Sequence, residues 1–170
     1  PTGGTLIFAG TDGETQISSV PISLDAIVEA DETFTVLLSN VVPADPGIDP
    51  LDVNTTASVN VTIVNDDVAV LRVADVSVNE DAGTVDVLVT LEGAVQGGFS
   101  VDYTLSGGTA DASDYAPTGG TLTFAGTAGE TQNISLQISA DEIVEADETF
   151  TVVLSHLVAL DAGVDATSIN

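Results

Sequence analysis

Asp141-Glu142-Ile143-Val144-Glu145-Ala146-Asp147-Glu148-Thr149-Phe150 sets five carboxylates within eight positions and then enters an alternating segment, Thr149 to Ser155. The decamer occurs twice. Asp25-Ala26-Ile27-Val28-Glu29-Ala30-Asp31-Glu32-Thr33-Phe34 differs from it only where Ala26 stands in place of Glu142. In both copies the apolar residues that follow recur every second position (Phe34, Val36 and Leu38 in the first), which is the period of a half-buried β-strand. The chain has 27 Asp plus Glu and one Lys or Arg, Arg72, so side-chain cations cannot pair these acids. Carboxylates crowded at the mouth of a strand therefore ask for a bound metal ion, because hard cations take oxygen ligands from acidic loops.

Working outward, the duplication extends well beyond the decamer. Pro1 to Ser39 aligns without gaps on Pro117 to Ser155 at an offset of 116 residues, with 30 of the 39 positions identical. A weaker match continues, Ala44-Asp45-Pro46-Gly47-Ile48-Asp49 lying over Leu160-Asp161-Ala162-Gly163-Val164-Asp165. A period of that length is a domain and not a solenoid turn. Residues 1–67 read as the C-terminal part of one repeat. Residues 68–170 read as a second repeat lacking its last strand, since the counterpart of Thr55 to Asp67 would fall beyond Asn170.

The remaining segments also follow the two-residue period, and none keeps a helical period. Strands are expected over Thr5 to Ala9, Thr15 to Ser23, Thr33 to Ser39 and Ala57 to Val64 in the first repeat. In the second they are expected over Ala69 to Val78, Thr84 to Leu91, Phe99 to Leu105, Leu122 to Ala125, Thr131 to Ser139 and Thr149 to Ser155. Gly107-Gly108, Gly119-Gly120 and Asp81-Ala82-Gly83 mark the turns. About seven short strands in one repeat of this length predict an all-β fold, an antiparallel two-sheet immunoglobulin-like β-sandwich. Few aromatic residues are available, so β-branched and Leu side chains must fill its core.

The net charge of −26 bounds the partners. Nucleic acid and anionic membrane surfaces both need Lys and Arg, so neither fits, and divalent cations do. Disorder is not indicated, because 44% of residues are hydrophobic and only 16% charged. No apolar run reaches the length of a membrane-spanning helix, which argues against direct membrane insertion. Catalysis has little to stand on: the chain has no Cys, no Lys and a single His, His156. We expect no enzyme activity.

Six motifs in order carry a resemblance: Glu80-Asp81-Ala82-Gly83-Thr84, Gly108-Thr109-Ala110, Ser113-Asp114-Tyr115, Gly120-Thr121-Leu122-Thr123-Phe124, Gly129-Glu130-Thr131 and Asp141 to Phe150. Together they resemble the Calx-beta domain, a calcium-binding sandwich of sodium–calcium exchangers that is also repeated in large bacterial surface and secreted proteins. The resemblance implies Ca2+ at one end of the sandwich. Its ligands would be Glu80, Asp114, Asp141 and Glu145 in the second repeat, and Asp25, Glu29, Asp66 and Asp67 in the first. The chain departs from the exchanger pattern where Ala140 (Leu24 in the first copy) precedes the acidic loop, and where the terminal acidic run Asp66-Asp67 has two members. Those departures imply one or two ions per site, or weaker binding.

Three roles are compatible with this reading. The first is a calcium-stiffened spacer in a large secreted or cell-surface protein, adhesin-like or stalk-like, with a prokaryotic cast to its composition. Its partners would be neighbouring repeats, identical chains or a cell-surface or matrix ligand. The second is a filament subunit whose incomplete sandwich accepts a strand, such as Thr55 to Val64, from a neighbour. The third is a regulatory calcium sensor. Asp45, Asp49, Asp52, Asp161 and Asp165 read as plain surface acids, and Tyr115 as a packing ring.

Overall fold

The computed structural model describes residues 3–55 and 58–170, and the strands fall in two groups along the chain. The second repeat forms the sandwich. Strands β4 (Val70–Val73), β5 (Thr84–Glu92) and β9 (Thr131–Gln137) make one antiparallel sheet in the order β4-β5-β9. Strands β7 (Phe99–Gly107), β8 (Gly120–Phe124) and β10 (Phe150–Ala159) make the other, in the order β10-β7-β8. Alternation decides which face is inside. Val85, Val87, Val89 and Leu91 of β5 are buried, and they meet Ile134 and Leu136 of β9, Phe99 and Val101 of β7, and Leu122 and Phe124 of β8 in one core. Phe99 and Phe124 stack with ring centroids 5.0 Å apart. Each fully buried side chain of this kind contributes about 1.5–3 kcal/mol of transfer free energy, so aliphatic residues suffice without a larger aromatic complement.

The first repeat contributes β1 (Ile27–Val28), β2 (Glu32–Leu37) and β3 (Ser58–Ile63), with β2 and β3 paired as an antiparallel ladder. Expected strands over Thr5 to Ala9 and Thr15 to Ser23 are not present, and Ile7 and Ile17 are exposed there. The reason lies in their partners. The counterparts of these segments are β8 and β9, which are hydrogen-bonded to β7 and β5, and the sequence holds no counterpart of β7 or β5 for the first repeat. Local structure survives without them. Glu14 accepts from the amides of Ala9 (2.9 Å) and Gly10 (3.0 Å), just as Glu130 accepts from Ala125 (2.9 Å) and Gly126 (3.0 Å). Turn chemistry is carried by neighbours in sequence, whereas a strand needs a second strand.

The other expected strands differ from the observed ones mainly at their ends. The Ala69 to Val78 segment is the exception: Ala69 bridges Ile169, the strand runs only over Val70–Val73, and Val76 and Val78 are exposed beyond it. In the Ala57 to Val64 segment, Ala57 lies outside the described residues. A bulge interrupts β10 between Ser155 and Val158, where His156 takes a φ of 49° and its Nδ1 sits 2.9 Å from Asp102 Oδ2. Asn40, its counterpart 116 residues earlier, takes the same left-handed conformation with φ 57°. Asp49 and Asp165, expected as plain surface acids, each accept from the amide two residues on and start short 3-10 turns.

The strand directions give the sandwich two poles. One carries the connections β4–β5, β7–β8 and β9–β10; the other carries β5–β7 and β8–β9 together with the segment after β10. The first repeat meets this second pole. Strand β1 pairs in parallel with β6 (Ala94–Val95), Gln96 donates to the Val28 carbonyl at 2.9 Å, and Ala30 bridges Val164. Val28 is fully buried there and belongs to the core of the second repeat. Among the described residues, no helix is long and apolar enough to cross a membrane.

Candidate metal centre

All the connections at the first pole are acidic. Between β4 and β5, Glu80 opens a short 3-10 turn that ends at Gly83, whose φ of 73° a β-carbon would strain. Between β7 and β8, Asp111 and Asp114 close a tight loop: the Asp111 amide donates to Asp114 Oδ2 (2.6 Å) and the Ser113 amide to Asp111 Oδ1 (2.7 Å). Between β9 and β10 runs the acidic loop, Asp141 to Glu148. Several bonds tie the three together. The Asp141 amide donates to Glu80 Oε1 (2.9 Å), Ser139 to the Asp114 carbonyl (2.8 Å), and Gly108 and Ala110 to the Thr149 carbonyl (3.0 and 3.1 Å). Beneath them Tyr115 is buried and stacks on Phe150 at 4.3 Å, so the ring expected to pack does so.

Asp114, Glu145 and Glu148 each offer one carboxylate oxygen, and these lie within 4.8 Å of one another. A point at the centre of such a triangle is at most about 2.8 Å from each corner, close to the 2.3–2.6 Å that calcium takes from oxygen. Small movements of exposed side chains close that gap, so the donor set fits a hard divalent cation. Calcium needs six to eight oxygens, and carboxylates can supply two each.

The electrostatics show how crowded the pole is. Partial desolvation, then the charges of Asp141, Asp114, Glu80 and Asp111, hold the Glu145 carboxyl above its ordinary range. For Glu148 partial desolvation again comes first, followed by a hydrogen bond shared with Asp114 and the charges of Asp114, Glu145 and Asp111. Both side chains are exposed, so it is the like charge crowding the pole that a bound cation would relieve. The fold therefore brings together Glu80, Asp114, Asp141 and Glu145, acids from three loops that are far apart in sequence. It adds two that sequence reasoning missed. Glu148 sits beside the strand entrance, two residues before β10 begins. Asp111 is an Asx-turn acid whose spacing of three from Asp114 was the available signal.

In the first repeat the gathering is partial. Partial desolvation, then Asp25, Glu32 and Asp67, raise the Glu29 carboxyl. The Glu29 amide donates to Asn65 Oδ1 (3.0 Å), the Asn65 amide to Asp31 Oδ1 (3.0 Å), and Asn65 Nδ2 to the Asp67 carbonyl (3.1 Å), so Asn65 ties the acidic loop to the end of the repeat. Asp66 is exposed and is not among the charges acting on Glu29; its neighbour Asp67 is. Alternation along the segment after β3 turns one of the two adjacent acids inward and the other outward.

The profile of the Calx-beta domain matches residues 1–67 and again residues 65–168. Among solved structures, the chain is similar to the apo form of the Calx CBD1 domain, with 25% identity and a TM-score of 0.50, over 54% of this chain and 83% of that one. It is also similar to CBD12 from CALX1.2, at 25% identity and a TM-score of 0.46, covering 82% of this chain and 53% of that one. For the calcium binding domain CBD12 of CALX1.1 the values are 28% and 0.43, over 50% and 37% of the two chains. The chain thus spans about half or less of the length of either CBD12 structure. With both repeats matched and together covering nearly all of the sequence, the chain belongs to the Calx-beta domain family.

Proposed function

We propose that this chain is a calcium-binding structural module of a tandem array, in which Ca2+ neutralises the acidic pole of each repeat and stiffens its loops. The observation that carries the reading is the convergence of Asp114, Glu145 and Glu148 within 4.8 Å, ringed by Glu80, Asp111 and Asp141, in a chain of net charge −26. Such a cluster opposes folding by self-repulsion until a cation occupies it. Asp114, Glu145 and Glu148 would hold the ion, with Asp141 and Glu80 beside them. In the first repeat Glu29, Asp25, Glu32 and Asp67 would do the same near the junction. The ion supplies charge neutralisation and cross-linking between loops, and no catalytic step is required of it.

A long secreted or cell-surface protein is the setting we favour, because the duplicated sequence and the docking of one repeat on the next suit a spacer. A regulatory calcium sensor is the second reading. The test is thermal unfolding in chelator and in millimolar calcium. A ligand that binds only the folded state at a concentration 100 times its Kd adds about 2.7 kcal/mol of stability. We expect a higher Tm in calcium, and a smaller rise in Glu145→Gln, which leaves the acids of the first repeat in place. Superimposable curves for the parent chain in the two conditions would remove the calcium role.

A further inference from the structure

Ile27-Val28 and Ile143-Val144 open two segments, residues 27–36 and 143–152, that are identical at every position. Their surroundings are opposite. Val28 is 0% exposed, held by the Ala94–Val95 edge and the Gln96 amide, whereas Val144 is 99% exposed and Ile143 is 64% exposed. Local sequence cannot produce that difference. What differs around the valine is a receiving surface: Val28 has the second pole of the next repeat beneath it, and among the described residues nothing stands in that relation to Val144.

We propose that Ile143-Val144 is a docking plug, and that its partner is the Ala-Val edge of a following Calx-beta repeat in the same polypeptide. The contact would repeat the one that Ile27-Val28 makes with Ala94–Val95. The receiving side carries a matching sign. Val164, which bridges Ala30 and is buried, has Ile48 as its counterpart in the first repeat, and Ile48 is 52% exposed. Each repeat therefore presents a plug at its acidic pole and a receiver at the other. A contact between two different surfaces, repeated by near-translation, does not close and builds a line. A second copy of this chain is the poorer occupant, because its receiver is already filled in cis by its own Val28, at the high effective concentration of a linked segment. The inference rests on the tandem-array part of the proposed function and not on calcium.

Asn54 aligns with Asn170, so appending residues 55–170 after Asn170 continues the repeat in register. Hydrogen exchange at residues 143 and 144 is measured in the 170-residue chain and in this extended chain, each in chelator and in calcium; Glu145 is left out because the appended counterpart of Asn65 would bond its amide within its own repeat, as Asn65 does for Glu29. In the extended chain the two amides are expected to slow at least 10²-fold, approaching those of residues 27 and 28, and Val144→Asp should abolish the slowing. Unchanged exchange at 143 and 144, with the appended β7 counterpart protected, overturns the proposal. Calcium uptake without slowing sinks the docking and leaves the metal reading standing; slowing in both conditions supports docking whatever the metal result. Should the added repeat not fold, a peptide of residues 141–152 is titrated against the Val28→Asp chain, whose receiver is vacated. Binding by this peptide and not by its Val144→Asp form supports the plug, and equal or no binding by both refutes it.

Discussion

Replacing Val28 with Ala should destabilise the chain far more than the same change at Val144, although both residues sit in the same run of ten amino acids. Val28 is fully buried in the core of the second repeat, between the Ala94–Val95 edge and the rest of that core. The substitution removes two methyl groups worth about 0.8 kcal/mol each in transfer. The void they leave adds about 1 kcal/mol at the rate known for core cavities, giving about 2–3 kcal/mol in total. For a cooperative unit of this size that corresponds to a drop in Tm of about 5–10 °C. Val144, at 99% exposure, has no contacts to lose, and Val144→Ala should fall within about 0.5 kcal/mol of the parent. Urea unfolding with both variants, at matched calcium, provides the comparison. Equal shifts, or a Val28→Ala curve that overlays the parent, would refute the claim that the acidic loop of one repeat is anchored in the core of the next.

Three further outcomes follow from the same structure. A β-carbon at Gly108 would stand 2.5 Å from the Thr149 carbonyl oxygen, so Gly108→Ala should displace the entrance of β10 and weaken calcium binding on calorimetric titration without removing a carboxylate. At Gly126, φ is +89° and a β-carbon would meet the Val95 carbonyl at 1.9 Å, whereas its counterpart Gly10 (φ +83°) has nothing within 4 Å. Gly126→Ala should therefore cost several-fold more stability in thermal melts than Gly10→Ala, which bears the backbone strain alone. The pH dependence should change sign with the metal. Glu29, Glu145 and Glu148 have raised carboxyls, so the folded chain binds protons more tightly than the unfolded one, and in chelator the Tm should rise as pH falls from neutrality toward the ordinary carboxylate range near about 4. Below that range Glu130, Asp86, Asp102, Asp111 and Asp165, whose carboxyls are lowered by hydrogen bonds, become protonated and stability is lost. In calcium the first limb should invert, because protons compete with the ion for Glu145 and Glu148.

The sandwich was readable because β5, β7, β8, β9 and β10 alternate with a period that depends on which face is buried, and residues such as Val85, Val87 and Val89 declare it directly. The same period at Thr15 to Ser23 misled, since alternation reports a willingness to be a strand, and pairing depends on a partner elsewhere in the chain. The acidic loop was legible from its charge density, and the turn at Gly83 from its residue types. Glu148 was not, because its place in the cluster depends on how β10 enters the sheet under the Gly108–Thr149 contact, which no local pattern encodes. The opposite surroundings of Val28 and Val144 lie furthest from the sequence, because Val28 packs on the second repeat through a contact that no local pattern encodes.

The central claim is that a divalent ion joins the loops at the acidic pole of each repeat. Crystals of the 170-residue chain grown in calcium, measured for anomalous scattering at a wavelength where calcium contributes, test it at the atoms concerned. We predict a peak between the carboxylates of Asp114, Glu145 and Glu148, and a second beside Glu29 and Asp67. A map without density at either place, with those side chains splayed into solvent, would contradict the account.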